Sequence, residues 1–150
     1  MAPRFFGTYE HSLDAKGRII LPARFRSQLG TQAYVSKYRH GCLALWTSEE
    51  FEKQMAEQEA KQGLGDSELN QARIWAAGSS DIEVDTQGRI ALPANLRTFA
   101  GLETQNRILV VGALNRVELW NPAVWEQRVG PAEAEMVGAL AGTAPSAEVS

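Results

Sequence analysis

The sequence predicts an α+β fold in which two tandem β-hairpin/helix units pack about a pseudo-twofold axis. Three observations carry that prediction. The stretch "DAKGRIILPARFR" at residues 14–26 returns as "DTQGRIALPANLR" at 85–97. Before each copy, residues alternate with period two, the mark of a half-buried strand. Behind each copy, a proline and a glycine bracket a segment of about two helical turns.

The repeat is wider than its motif. Between residues 7 and 26, nine of twenty positions are identical to those 71 residues later, where chance gives about one, so the unit is duplicated. The match resumes at an offset of 74, setting "LALWTSEEFE" (43–52) against "VELWNPAVWE" (117–126).

Each element follows in order. In "GTYEHSL", Tyr9, His11 and Leu13 alternate with Thr8, Glu10 and Ser12; Ile82 and Val84 alternate with Asp81 and Glu83 in the partner. Residues 14–17 and 85–88 are turns, because Asp accepts from backbone N–H groups two residues on and Gly17 and Gly88 tolerate positive φ. "RIIL" and "RIAL" are the return strands. Pro22 and Pro93 suit the first turn of a short helix, with Phe25 and Leu29, or Leu96 and Ala100, on its inner side. Gly30 and Gly101 close it.

Two more strands follow in each unit, "AYVSKY" with "CLALW" and "RILVVGA" with "RVELW". Thr47 and Asn121 are N-caps, with Glu50 completing a capping box and Pro122 at the first helical position. A helix runs over about 48–61, "GLGD" breaks it, and a connecting helix near 67–76 leads to the second unit. The expected organisation is a first unit at 5–62, a connector at 63–76, a second unit at 77–130, and a mostly disordered tail at 131–150, where aromatic and β-branched residues are scarce.

Composition narrows the function. Cys42 is the only cysteine, so no intramolecular disulfide or multi-cysteine metal site is expected, and it reads as a small buried hydrophobe. No apolar run approaches the ~18 residues of a membrane span. A soluble, cytoplasmic protein with no cofactor, no metal, no membrane partner and no small-molecule substrate is expected. Net charge is −3, yet residues 1–40 carry seven Lys and Arg against two acidic residues. That asymmetry points to nucleic acid. Phosphate-binding loops, nucleophile elbows and zinc-protease motifs are absent from the sequence, which argues against an enzyme.

The doubled D-x-x-G-R-I-x-L-P-A-x-[FL]-R resembles the AbrB-like, or swapped-hairpin, DNA-binding family, and two copies in one chain are similar to its MraZ branch of bacterial transcriptional regulators. The resemblance covers residues 5 to about 130. It implies an AbrB-like fold, ring-like homo-oligomers, a nucleoid-associated location, and binding of double-stranded DNA at short direct repeats in the promoter of the division and cell-wall gene cluster, its own promoter included. The family's D-x-x-x-R signature falls on Asp14 and Arg18 and again on Asp85 and Arg89.

Identical positions serve what both units do, which is fold: Asp14, Gly17, Pro22, Asp85, Gly88 and Pro93 are expected to be structural. Arg18 and Arg89 are open on residue chemistry alone, since a guanidinium can pair with the Asp four residues earlier or grip phosphate or guanine. The resemblance favours DNA contact for Arg18; Arg89 is assigned to the structural motif, with its DNA contact left open. Positions that differ are more telling. Lys16 becomes Gln87, Arg24 becomes Asn95, and Lys37 and Arg39 align with Val111 and Ala113. The first unit is therefore expected to read DNA through Lys16, Arg18, Arg24, Arg26 and His11. Two rivals remain: a protein-binding ring whose basic face meets an acidic partner, and an AbrB-type antitoxin whose tail folds on a toxin.

Overall fold

The computed structural model describes residues 2–140. Eight strands and six α-helices follow one another as β1 (Thr8–Ser12), β2 (Arg18–Ile20), α1 (Ala23–Leu29), β3 (Gln32–Lys37), β4 (Leu43–Trp46), α2 (Ser48–Lys61), α3 (Asp66–Ala77), β5 (Ser80–Glu83), β6 (Arg89–Ala91), α4 (Ala94–Ala100), β7 (Arg107–Gly112), β8 (Val117–Trp120), α5 (Pro122–Arg128) and α6 (Gly130–Leu140). A single 3-10 turn, Arg39–Gly41, joins β3 to β4. Among the described residues, no helix is long and apolar enough to cross a membrane.

The strands form two sheets. Six pair in the order β1-β7-β8-β4-β3-β5, every neighbour antiparallel. The other two, β2 and β6, make a separate ribbon. The return strands exist where the sequence places them, but they do not return onto their own unit. Strand β1 pairs with β7 of the second unit, β5 pairs with β3 of the first, and β2 pairs with β6. Period two fixes which face of a strand is buried and says nothing about its partner. Here β1, β2, β5 and β6 all pair with strands of the other unit, while β3–β4 and β7–β8 are hairpins within their own.

One pseudo-twofold relates the halves. In the large sheet, Ala44 of β4 lies opposite its repeat counterpart Glu118 of β8, and in the ribbon Ile19 lies opposite Ile90. The main core fills the space between these two centres: Leu43, Leu45, Val117 and Leu119 from the sheet meet Ile19, Ile90, Leu21 and Leu92 from the ribbon and Phe25, Leu29 and Leu96 from α1 and α4. On the sheet's other face, α2 and α3 cover Ala44 and Trp46 through Phe51 and Trp75, while α5 covers Trp120 and Val111 through Val124 and Trp125. Neither unit can close this core without the other.

Four local readings change. Pro22 and Pro93 sit at the N-cap, one residue before the helix, with ψ 141° and 143°. Thr47 accepts from the Glu50 N–H at 3.2 Å, but the Glu50 carboxylate accepts from Lys53 at 3.1 Å and from Asn115 at 3.3 Å, so the capping box is not reciprocal. Strands β3 and β7 match at an offset of 75, as their burial patterns and their pairing with β5 and β1 show. Lys37 therefore corresponds to Gly112 and not to Val111, and its loop is one residue longer than its counterpart. Finally, Gly130–Leu140 is helical where a disordered tail is expected from 131. Its Ala, Glu, Met and Leu are strong helix formers, and Pro131 near the start is tolerated. A shortage of core-forming side chains is not a shortage of helix formers. Residues 141–150 of that expected tail lie outside the described residues.

Candidate nucleic-acid interface

Each D-x-x-G-R segment builds one tight loop from its own side chains. The Asp14 carboxylate accepts from the Lys16 and Arg18 backbone N–H groups, both at 2.9 Å, and from Arg18 Nε at 2.8 Å. Asp85 repeats this with Gln87 at 2.8 Å, the Arg89 amide at 2.9 Å and Arg89 Nε at 2.9 Å. The Asp14 N–H then donates to the Arg18 carbonyl and the Gly17 N–H to the Asp14 carbonyl. These bonds favour the charged carboxylates: the backbone N–H of Arg18 foremost, then its side chain, holds Asp14 below the ordinary value of 3.8, and Arg89 does the same for Asp85. Asp14 and Asp85 thus stabilise turns, as the sequence suggests.

The ribbon brings the two loops together. Ile19 and Ile90 point into the core, so Arg18, Ile20, Arg89 and Ala91 share the outer face by strand alternation. Arg18 pairs with Ala91 and Arg89 with Ile20, which sets the two arginines on a diagonal with Cα atoms about 7–8 Å apart. Each arginine donates from Nε to its own aspartate, and both guanidinium groups remain partly exposed. Arg18 and Arg89 have the same geometry, although sequence reasoning treats them unequally.

The remaining candidate cations fall into two groups. Lys16 is exposed at the tip of the first loop. Arg24 is exposed on α1 and held, its guanidinium 4.4 Å from the Phe6 ring centroid and its Nη1 3.3 Å from the Tyr9 hydroxyl. His11 is half-buried on β1, opposite Ile108. Arg26 is different. It is half-buried, and its guanidinium lies against Gly88 of the second unit's loop, with Nε buried and unpartnered. Its counterpart Arg97, not among the sequence candidates, lies against Gly17 of the first unit's loop and donates from Nε to the Leu92 carbonyl at 3.1 Å. The shared Arg at positions 26 and 97 was the available signal, but its crossing to the other loop depends on strand exchange.

Comparison with known proteins agrees with this architecture. A family model described as "MraZ protein, putative antitoxin-like" matches residues 4–69 and 76–137, one match per unit. A protein named "Transcriptional regulator MraZ" from Acetivibrio thermocellus is 38% identical over 84% of this chain and 87% of its own length. Proteins of the same name from Lachnoclostridium phytofermentans and Kocuria rhizophila are 42% and 37% identical, over 81% and 87% of this chain and 84% and 90% of their own. With both units matched and relatives covered nearly end to end, the chain belongs to the MraZ family.

Proposed function

We propose that this protein is a DNA-binding transcriptional regulator, not an enzyme, and that the β2–β6 ribbon with its two flanking loops is its reading surface. One observation carries the reading: Arg18 and Arg89 share the outer face of a two-stranded ribbon. A ribbon of that width fits the major groove, where a guanidinium bonds guanine O6 and N7. Lys16 adds positive charge on the first loop, Arg24 is exposed on α1 beside Phe6 and Tyr9, and His11 lies on the strand leading into that loop. The relatives' name, transcriptional regulator, supports the same class.

The finer reading concerns the operator. The backbone is pseudo-symmetric, but the repeat counterpart of Lys16 is Gln87 and that of Arg24 is Asn95, so each subunit meets DNA with a direction. Directional subunits repeated around a ring suit direct repeats, not inverted ones, and repetition raises avidity through effective concentration. The proposed target is the promoter of the division and cell-wall gene cluster, including the protein's own.

Equilibrium binding to the protein's own upstream duplex and to a scrambled duplex, at two salt concentrations, tests this. Arg18→Ala and Arg89→Ala should each cost about 1–3 kcal/mol of preference for the promoter, while Lys16→Ala should reduce the salt slope by about one phosphate contact. Equal binding of both duplexes by the wild type would overturn the regulator reading and leave the basic face to an acidic protein.

A further inference from the structure

We infer that Arg26 and Arg97 are crossed positioning residues: each unit's helix arginine sets the reading loop of the other unit. The inference rests on the ribbon being the reading surface, and it reassigns Arg26 from DNA contact to loop support.

The loop glycines show the crossing. Gly17 and Gly88 have φ of 78° and 80°, which already favours glycine. The second constraint comes from across the dyad. A Cβ on Gly17 would lie 2.8 Å from Arg97 Nε and 2.9 Å from its Cζ, and a Cβ on Gly88 would overlap the Arg26 guanidinium. Each guanidinium is therefore seated directly on the opposing loop's backbone. The loop is also tied from that side through its carbonyl, since the Leu92 N–H donates to Gly17 O at 3.0 Å and the Leu21 N–H donates to Gly88 O at 2.9 Å.

The first loop is consequently framed by Leu92 and Arg97, both of unit two, and the second by Leu21 and Arg26, both of unit one. The loop's internal bonds to Asp14 or Asp85 fix its shape, and the crossed contacts fix where it sits on the ribbon. The crossing also explains why the arginine is retained in both units, whereas the exposed cations Lys16 and Arg24 are kept only in the first. A solvated phosphate contact belonging to one reading head would have no such reason to be shared.

Amide hydrogen exchange and DNA binding together test the assignment. In Arg97→Ala, exchange at the Lys16 and Arg18 amides should rise about tenfold or more through easier local opening, with Gln87 and Arg89 unchanged; Arg26→Ala should give the reverse. In binding, Arg97→Ala should cost roughly 5- to 150-fold alone, as for a lost guanidinium contact, and almost nothing further on top of Arg18→Ala. On top of Arg89→Ala it should keep its full cost. A general loss of stability would not produce that crossed pattern. If either Ala variant fails to fold, the Lys variant is read in the same way, because it keeps the stem and loses the planar group. Raised exchange in the arginine's own loop, or equally in both, would overturn the inference. So would a salt slope reduced by about one per variant, the signature of a direct phosphate contact. If the wild type shows no promoter preference, the regulator reading falls while the exchange data still decide the crossing.

Discussion

Ile19 and Ile90 lie directly opposite each other at the centre of the ribbon, each 1% exposed, and join the two loops to one core. They are repeat counterparts, so one contact on the pseudo-dyad supports both reading loops at once.

Ile90→Ala should therefore destabilise the protein by about 2–5 kcal/mol, the range for a large buried aliphatic side chain cut to Ala. Urea unfolding measures it. Ile90→Val should cost only about 0.5–1.5 kcal/mol. Because the pair is shared, Ile19→Ala should match Ile90→Ala, and exchange should rise in both loops. A response confined to one loop would mean that the two units are separately stable.

Those loops also show what was readable in the sequence. The repeat, the turn chemistry of Asp14 and Asp85, the N-caps Thr47 and Asn121, and the helix over Ser48–Lys61 all depend on residues close in the chain, and all appear where expected. Strand partners do not depend on neighbours. Tyr9 and Val110 are about a hundred residues apart yet paired, and no local pattern distinguishes that register from a hairpin with β2. The site shared this fate: Lys16, Arg18 and Arg24 were legible as cations, whereas the equivalence of Arg18 with Arg89 and the crossing of Arg26 with Arg97 arise only once the strands exchange.

The Glu118 carboxylate shows a second difference between the units. It sits on the sheet's dyad opposite Ala44, and it accepts from Arg116 Nε at 2.8 Å and Trp120 Nε1 at 2.9 Å. Arg116→Ala would strand a buried carboxylate and should cost about 3–5 kcal/mol in a thermal or urea melt. Replacing both groups, as Arg116→Met with Glu118→Leu, should cost much less and could leave stability unchanged, because the desolvation of both charges is removed with them. A double variant as unstable as Arg116→Ala would show instead that Trp120 needs its acceptor.

Cys42 is fully buried beside β4, as its size and setting in the sequence suggest. Burial, reinforced by the nearby Glu118 charge, pushes its thiol far above the ordinary cysteine range, so the thiolate that reacts with alkylating agents is scarce at neutral pH. Iodoacetamide should leave the folded protein unmodified at about pH 8 and add one equivalent in urea. Rapid labelling of the folded protein would mean that the 3-10 turn at Arg39–Gly41 opens easily.

The loops should weaken in acid, and the sign follows from the depressed carboxylates. Asp14 and Asp85 are held below 3.8 mainly by the backbone N–H groups of Arg18 and Arg89. A carboxylate whose folded value is lowered adds stability that is fully present above the unfolded value and disappears as pH falls through the folded one. Both loops should thus be intact at neutral pH and loosen only below the ordinary Asp range. Asp14→Asn keeps an oxygen acceptor for the Lys16 and Arg18 amides but removes the charge that pairs with Arg18 Nε. Its stability deficit against the wild type, followed by urea melts from neutral pH downward, should be largest near neutrality and vanish once Asp14 is protonated. Because both partners are partly exposed, added salt should shrink it. Carboxyl titration by NMR should give Asp14 and Asp85 nearly equal values, since their bonds are the same. A value at or above 3.8 for either would show that its loop does not hold this geometry in solution.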